Sequence, residues 1–130
     1  MLKSYVRREK TLITAVRLNL STAGFAYEKW GHAQHCKPGD WIVDNNGDIY
    51  TIDAASFATT YREVSPGRYE KSVPIWARQA DSAGSIATKE GATAYQAGDY
   101  LVYNNPDQTD GYAVAAAKFA TLYQEVAPGA

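Results

Sequence analysis

The chain has 130 residues, 45% of them apolar and 21% charged, with a formal net charge of -1. That balance fits one ordinary soluble domain or two very small ones and excludes extensive disorder. It also supplies no basic stripe for nucleic acid, and no apolar run is long enough for a membrane span, so neither is an expected partner.

Arg7, Arg8 and Lys10 form the one basic cluster, too short to read as a phosphate-binding stripe. The single cysteine, Cys36, cannot form an intrachain disulfide. With no signal-peptide pattern at the start, a reducing, cytoplasmic setting is the expectation.

In chain order, residues 11–19 are rich in β-branched side chains and read as a strand. Ser21 to Gly24 make a turn, and residues 25–30 alternate large with small or polar side chains, as a half-buried strand does. Gly31 lets the chain turn, residues 32–37 form another short strand, and Pro38-Gly39 ends it. Trp41-Ile42-Val43 is a strand. The following Asp44-Asn45-Asn46-Gly47-Asp48 carries the Asn-Gly hairpin signal, with residues 49–52 as the return. Asp53 is placed to cap a short helix over residues 54–61. Phe57 and Tyr61, four apart, share a helix face that must pack on a sheet, because two turns of helix are unstable alone.

The same order then returns. Ala97-Gly98-Asp99-Tyr100-Leu101-Val102 echoes Pro38-Gly39-Asp40-Trp41-Ile42-Val43, and the ending from Phe119 to Gly129 nearly copies that from Phe57 to Gly67. Residues 72–77 correspond to the first strand, with Pro74 expected to demote part of it to a sheet edge. The extra residue between Gly31 and Gly39, relative to Gly91 and Gly98, reads as a β-bulge. Residues 104–111 make a longer, exposed and mobile hairpin loop. Residues 115–123 repeat the helix with more alanine.

The expected fold is therefore mainly β (α+β): two tandem small β-barrel-like or β-roll repeats, each with one short helix. Unit 1 spans residues 1–68 and unit 2 residues 69–130. At about 60 residues each unit is near the lower limit for independent folding. The two are expected to pack about a pseudo-twofold as one compact domain.

Pro38-Gly39-Asp40-Trp41-Ile42-Val43, Gly47-Asp48-Ile49-Tyr50, and Phe57 with Tyr61 resemble a family of short uncharacterised proteins of phages, prophages and bacteria. That family carries a Pro-Gly-Asp-(Tyr/Trp) strand, a Gly-x-x-Tyr hairpin return and a closing Phe-x-x-x-Tyr. In the second copy Trp76-Ala77 and Thr88-Lys89-Glu90-Gly91 are similar to it too, whereas Ala97 replaces the proline and the hairpin is longer. The resemblance implies a fold and a phage or bacterial setting rather than a reaction.

His32, His35 and Cys36 are the one metal-like cluster, but His32 and His35 fall on opposite strand faces, so no metal and no cofactor is expected. Asp40 and Asp99 recur at one place in both copies. A turn role, accepting from local backbone N–H groups, accounts for that repetition better than acid–base work does. No phosphate-binding or nucleophile-elbow signature is present.

The aromatic set is the strongest functional lead. Trp30, Trp41, Trp76 and Tyr100 are the candidate ligand-binding residues, with Arg17, Arg62, Arg68 and Arg78 as candidate anion contacts; the alternative is that these aromatics fill the cores. The expected function is a non-catalytic binding or accessory module for a small molecule, a nucleotide among them, or a protein partner. A structural assembly protein acting through self-association is the alternative, and an enzyme comes third.

Overall fold

The structure, a computed structural model, describes residues 2–8 and 11–126. Lys10 of the basic cluster and the closing Pro128-Gly129 lie outside the described residues. Strand β1 (Lys3–Arg7) opens the chain and is followed by β2 (Ile13–Arg17). In β2, Ile13 and Ala15 are buried while Thr14 and Val16 face out, the period-two pattern of a sheet with one wet face. A hairpin of β3 (Phe25–Lys29) and β4 (His32–Cys36) comes next, then a second of β5 (Trp41–Asn45) and β6 (Asp48–Ile52). Asn46 and Gly47 take φ of 55° and 94°, the left-handed pair that an Asn-Gly hairpin turn requires.

Helix α1 (Ala54–Thr60) starts at Asp53, whose carboxylate accepts from the N–H groups of Ala55 and Ser56. Strands β7 (Tyr61–Ser65) and β8 (Arg68–Lys71) follow. The remaining elements are β9 (Ile75–Gln79), the hairpin β10 (Gly84–Ala87) and β11 (Ala92–Tyr95), and the hairpin β12 (Tyr100–Tyr103) and β13 (Gly111–Val114). Helix α2 (Ala116–Leu122) and β14 (Tyr123–Glu125) end the described chain.

The protein is mainly β, with two five-stranded antiparallel sheets and two separate hairpins. One sheet has the order β6-β5-β2-β8-β7 and the other β13-β12-β9-β1-β14. The first is built from residues 13–71. The second takes residues 75–126 together with β1 from the far end of the chain, Tyr5 pairing with both Ile75 and Glu125. The sheets thus divide the chain differently from a cut at residue 68: β1 completes the sheet of the second half, and β8 completes that of the first.

Each core is small and aromatic. Ile13, Ala15, Val43 and Phe57 are buried in one; Ile75, Ala77, Val102, Phe119 and Tyr123 in the other. Trp41, Phe57 and Tyr61 stack in sequence, with centroids 4.2 and 4.9 Å apart, and Tyr100, Phe119 and Tyr123 stack at 3.9 and 5.0 Å. These offset aromatic stacks fasten each helix to its sheet.

Three expectations are corrected. Neither five-stranded sheet closes into a barrel: β6 and β7 are opposite edges joined through α1, and β13 and β14 likewise through α2. The helix fills each opening with a phenylalanine instead of a hydrogen-bonded strand. Pro74 creates no edge. It lies just before β9, where no ladder hydrogen bond is lost, and β9 sits centrally between β12 and β1. The extra residue of the first copy makes no bulge in the β3–β4 ladder, which runs without a shift through five pairs against four in β10–β11. Trp30 and Gly31, both at positive φ, form its tight turn.

Candidate functional site

A cavity of about 280 Å³ lies between the two sheets and is lined from both of them, from both helices and from both separate hairpins. Its floor is phenolic. Tyr50 of β6 and Tyr61 of β7 enter from one side, Tyr112 of β13 and Tyr123 of β14 from the other. Tyr61 and Tyr123 are the last members of the two aromatic stacks, so the packing that holds each helix down also aims a phenol into the cavity.

Two cations stand among these phenols. Arg7 comes from β1 and Lys71 from β8, the two strands that complete the sheets. The Lys71 ammonium donates to the Tyr112 hydroxyl at 2.9 Å and lies 5.8 Å from the Tyr61 ring centroid; the Arg7 guanidinium lies 5.3 Å from that of Tyr123. Among the described residues neither cation is in an ion pair. The Arg7 Nε is buried and has no hydrogen-bond partner, an orphaned charged donor of a kind that folded proteins rarely leave.

The field of these cations is visible in the phenols. Burial pushes Tyr61, Tyr50 and Tyr112 above the ordinary phenol range, Tyr112 furthest. Burial acts the same way on Tyr123, but Lys71 and Arg7 together outweigh it and hold that phenol below its ordinary value. Burial opposes the charge of Arg7, yet the Tyr123 and Tyr61 phenols keep it raised.

The carboxylates that line the cavity are already engaged. Asp110 Oδ2 accepts from Ser56 Oγ at 2.6 Å and from Asn104 Nδ2 at 3.0 Å. Glu90 Oε2 accepts from the Asp53 N–H at 2.6 Å, and Asp99 holds the N–H groups of Gln96 and Ala116. Because Asp110 fixes the amide end of Asn104, its carbonyl oxygen Oδ1 is left buried without a partner. Among the residues that line the cavity, one charged donor and one neutral acceptor are thus unused.

Of the four aromatics singled out in the sequence, Trp30 lines this cavity, at the turn of its hairpin and 5.7 Å from the Tyr50 ring. Trp41 and Tyr100 occupy matching places in the two core stacks. Trp76 does not line the cavity but lies on an adjoining groove beside Val73, Pro74 and Pro106, which shares Thr60, Asn104 and Asp110 with it. The four are not brought together.

None of Arg17, Arg62, Arg68 and Arg78 lines the cavity; Arg17 donates to the Gly39 carbonyl and Arg62 is paired with Glu70. Asp40 and Asp99 are turn residues in both copies. Asp40 accepts from the Lys37 and Ala54 N–H groups, as Asp99 does from Gln96 and Ala116. His32 meets Ser85 at 2.8 Å and Cys36 is buried. Among the described residues no group of three or more His, Cys, Asp or Glu side chains is placed to hold a metal.

Lys71, Tyr112 and Asn104 are not singled out as site residues by the sequence, and Arg7 stands there only in a basic cluster judged too short for phosphate. One signal was available: Arg7 and Lys71 each follow a tyrosine by two positions, Tyr5 and Tyr69, in the segments that open the two copies. Comparison of the chain with protein-family models, with curated proteins and with solved structures finds no match. No helix among the described residues is long and apolar enough to cross a membrane.

Proposed function

We propose that the chain is a non-catalytic module of phage or bacterial origin that binds a small molecule in the cavity between its sheets. The observation that carries this reading is the convergence of Arg7 and Lys71, neither in an ion pair among the described residues, on one tyrosine-lined space. Two half-buried cations without counter-charges, one of them with a buried and unpartnered Nε, cost stability unless something else uses them. Matching residues from both halves enter one cavity, which supports a pseudo-twofold pairing of the units and a single ligand across it. A non-catalytic role is favoured because Asp40 and Asp99 are spent on backbone N–H groups and neither histidine lines the cavity.

Native mass spectrometry of protein purified from its host tests the reading. A discrete mass above that of the chain is expected. A thermal scan in a host metabolite extract should show a rise, since ligand at a hundred times its dissociation constant adds about 2.7 kcal/mol. A bare chain mass with no thermal shift would defeat it.

The second reading, self-association through sheet edges, draws on Ile49 and Val64, each 51% exposed on the edge strands β6 and β7. It is the weaker one. Strand β7 carries Arg62 and Glu63 and a register shift before Ser65, features that blunt an edge against pairing. A mass that rises in discrete steps with protein concentration would favour it.

A further inference from the structure

The two unused polar atoms specify more than an empty space. Arg7 Nε is a buried cationic donor, and Asn104 Oδ1 is a buried neutral acceptor whose amide partner is locked by Asp110. A ligand that satisfies both must carry an anionic acceptor at one point and an N–H or O–H donor at another. A plain carboxylate would match one charge only, whereas Arg7 and Lys71 both act on the Tyr61 and Tyr123 phenols. A phosphate monoester brings close to two negative charges at neutral pH and three acceptor oxygens. Arg and Lys are the side chains that bind such groups, Arg as a fork and Lys as a point charge.

The carboxylates that line the cavity are already engaged, Asp110 by Ser56 and Asn104, Glu90 by the Asp53 N–H and Asp99 by the Gln96 and Ala116 N–H groups, which leaves Arg7 and Lys71 as the charges open to a phosphate. Trp30 and Tyr50 line the same cavity, their ring centroids 5.7 Å apart, and supply its aromatic wall.

We infer that the cavity takes a small phosphate monoester with a ring-bearing body, its phosphate on Arg7 and Lys71 and an N–H or O–H donor of the body on Asn104. This rests on the small-molecule reading above and narrows its ligand to one class. Nucleoside monophosphates, which combine a phosphate monoester, a flat ring and several donors, are the direct probes.

Isothermal titration of the full chain with the four ribonucleoside 5′-monophosphates, their parent nucleosides and inorganic phosphate tests it. At least one monophosphate should bind, and its nucleoside and inorganic phosphate should each bind at least about tenfold more weakly. Arg7→Gln and Lys71→Gln should each weaken that monophosphate by about ten- to a hundredfold, the range of a charge-assisted hydrogen bond. Arg7→Lys should restore part of the loss. Asn104→Leu should weaken the monophosphate while leaving inorganic phosphate unchanged. Lys71 is half-buried, so its variant keeps the test open if Arg7→Gln fails to fold.

A nucleoside binding as tightly as its monophosphate, or inorganic phosphate as tightly as either, would overturn the inference. So would binding indifferent to both cation variants. If no monophosphate binds but the purified protein carries another mass, the phosphate assignment fails and the cavity reading stands. If nothing binds and nothing is carried, both fail.

Discussion

Glu90 sits at the tip of the β10–β11 hairpin, where its carboxylate accepts from the Asp53 backbone and faces the Asp53 and Asp110 charges. Burial is the main reason its carboxyl lies above the usual range, and the two neighbouring carboxylates add to it. A carboxyl raised on folding contributes stability that is full below its unfolded pKa of about 4.3 and is lost as pH rises through the folded value. At neutral pH the charged form is therefore a burden. Glu90→Gln keeps an acceptor for the Asp53 N–H and removes the charge, so its Tm should exceed that of the parent at pH 7. The difference should shrink as pH falls towards 4; thermal scans across that range check it, and a difference that does not change with pH would contradict it.

At the scale of the element, the two helices test how much a cap matters. Asp53 and Ala115 hold the same backbone conformation, with φ and ψ of -53° and 141° against -58° and 142°. Asp53 caps α1, whereas Ala115 offers α2 no side-chain hydrogen bond. Ala115→Ser should therefore stabilise the protein by about 1 kcal/mol, and Asp53→Ala should cost about as much. Serine is the better choice for α2. In the first copy Lys37 neutralises Asp40 and Asp53 together, at 3.0 and 3.4 Å, but Gln96 occupies the matching position beside Asp99. Urea unfolding reads both changes, and a serine variant no more stable than its parent would show that α2 is fixed by the Phe119 stack alone.

The whole molecule is tied together by exchanged strands and crossing polar contacts. The two separate hairpins touch through a bridge between Gln34 and Gly91 and through the Ala94 N–H to the Trp30 carbonyl at 2.9 Å. A Cβ on Gly91 would fall 2.2 Å from the Ala33 carbonyl oxygen, so the approach needs a glycine. Lys118 of α2 reaches Asp48 of β6 at 3.1 Å, and Ser56 of α1 reaches Asp110. A chain ending at residue 68 would lose most of β8 and leave β1 without a sheet, so it should show no cooperative unfolding transition. A circular permutant beginning at Thr11, running through residue 130 into Met1 and ending at Arg8, should keep one. Val126 already donates to the Ser4 carbonyl at 2.8 Å, and the new link would carry a Pro-Gly pair like Pro66-Gly67. Circular dichroism melts separate these outcomes, and a folded, monomeric chain of residues 1–68 would refute the interdependence.

What the residues determine by themselves is local. The Asn46-Gly47 turn, the Asp53 cap, the turn roles of Asp40 and Asp99 and the Phe57–Tyr61 helix face follow from chemistry within a few positions, so they are legible without a structure. Recurrence of that chemistry also marks which stretches correspond. The partners of β1 and β8 are not local: Lys3 pairs with Ala77 and Tyr5 with Glu125, and nothing in five residues of strand names a partner so far away. The same distance hides the site. Arg7 and Lys71 read as ordinary strand-end cations until two sheets bring them to one cavity, while Trp41 and Tyr100, conspicuous in the sequence, are used up in stacks on Phe57 and Phe119. Tertiary packing decides which aromatics are buried against a helix and which charges are left without a partner, because both depend on what the rest of the chain places beside them.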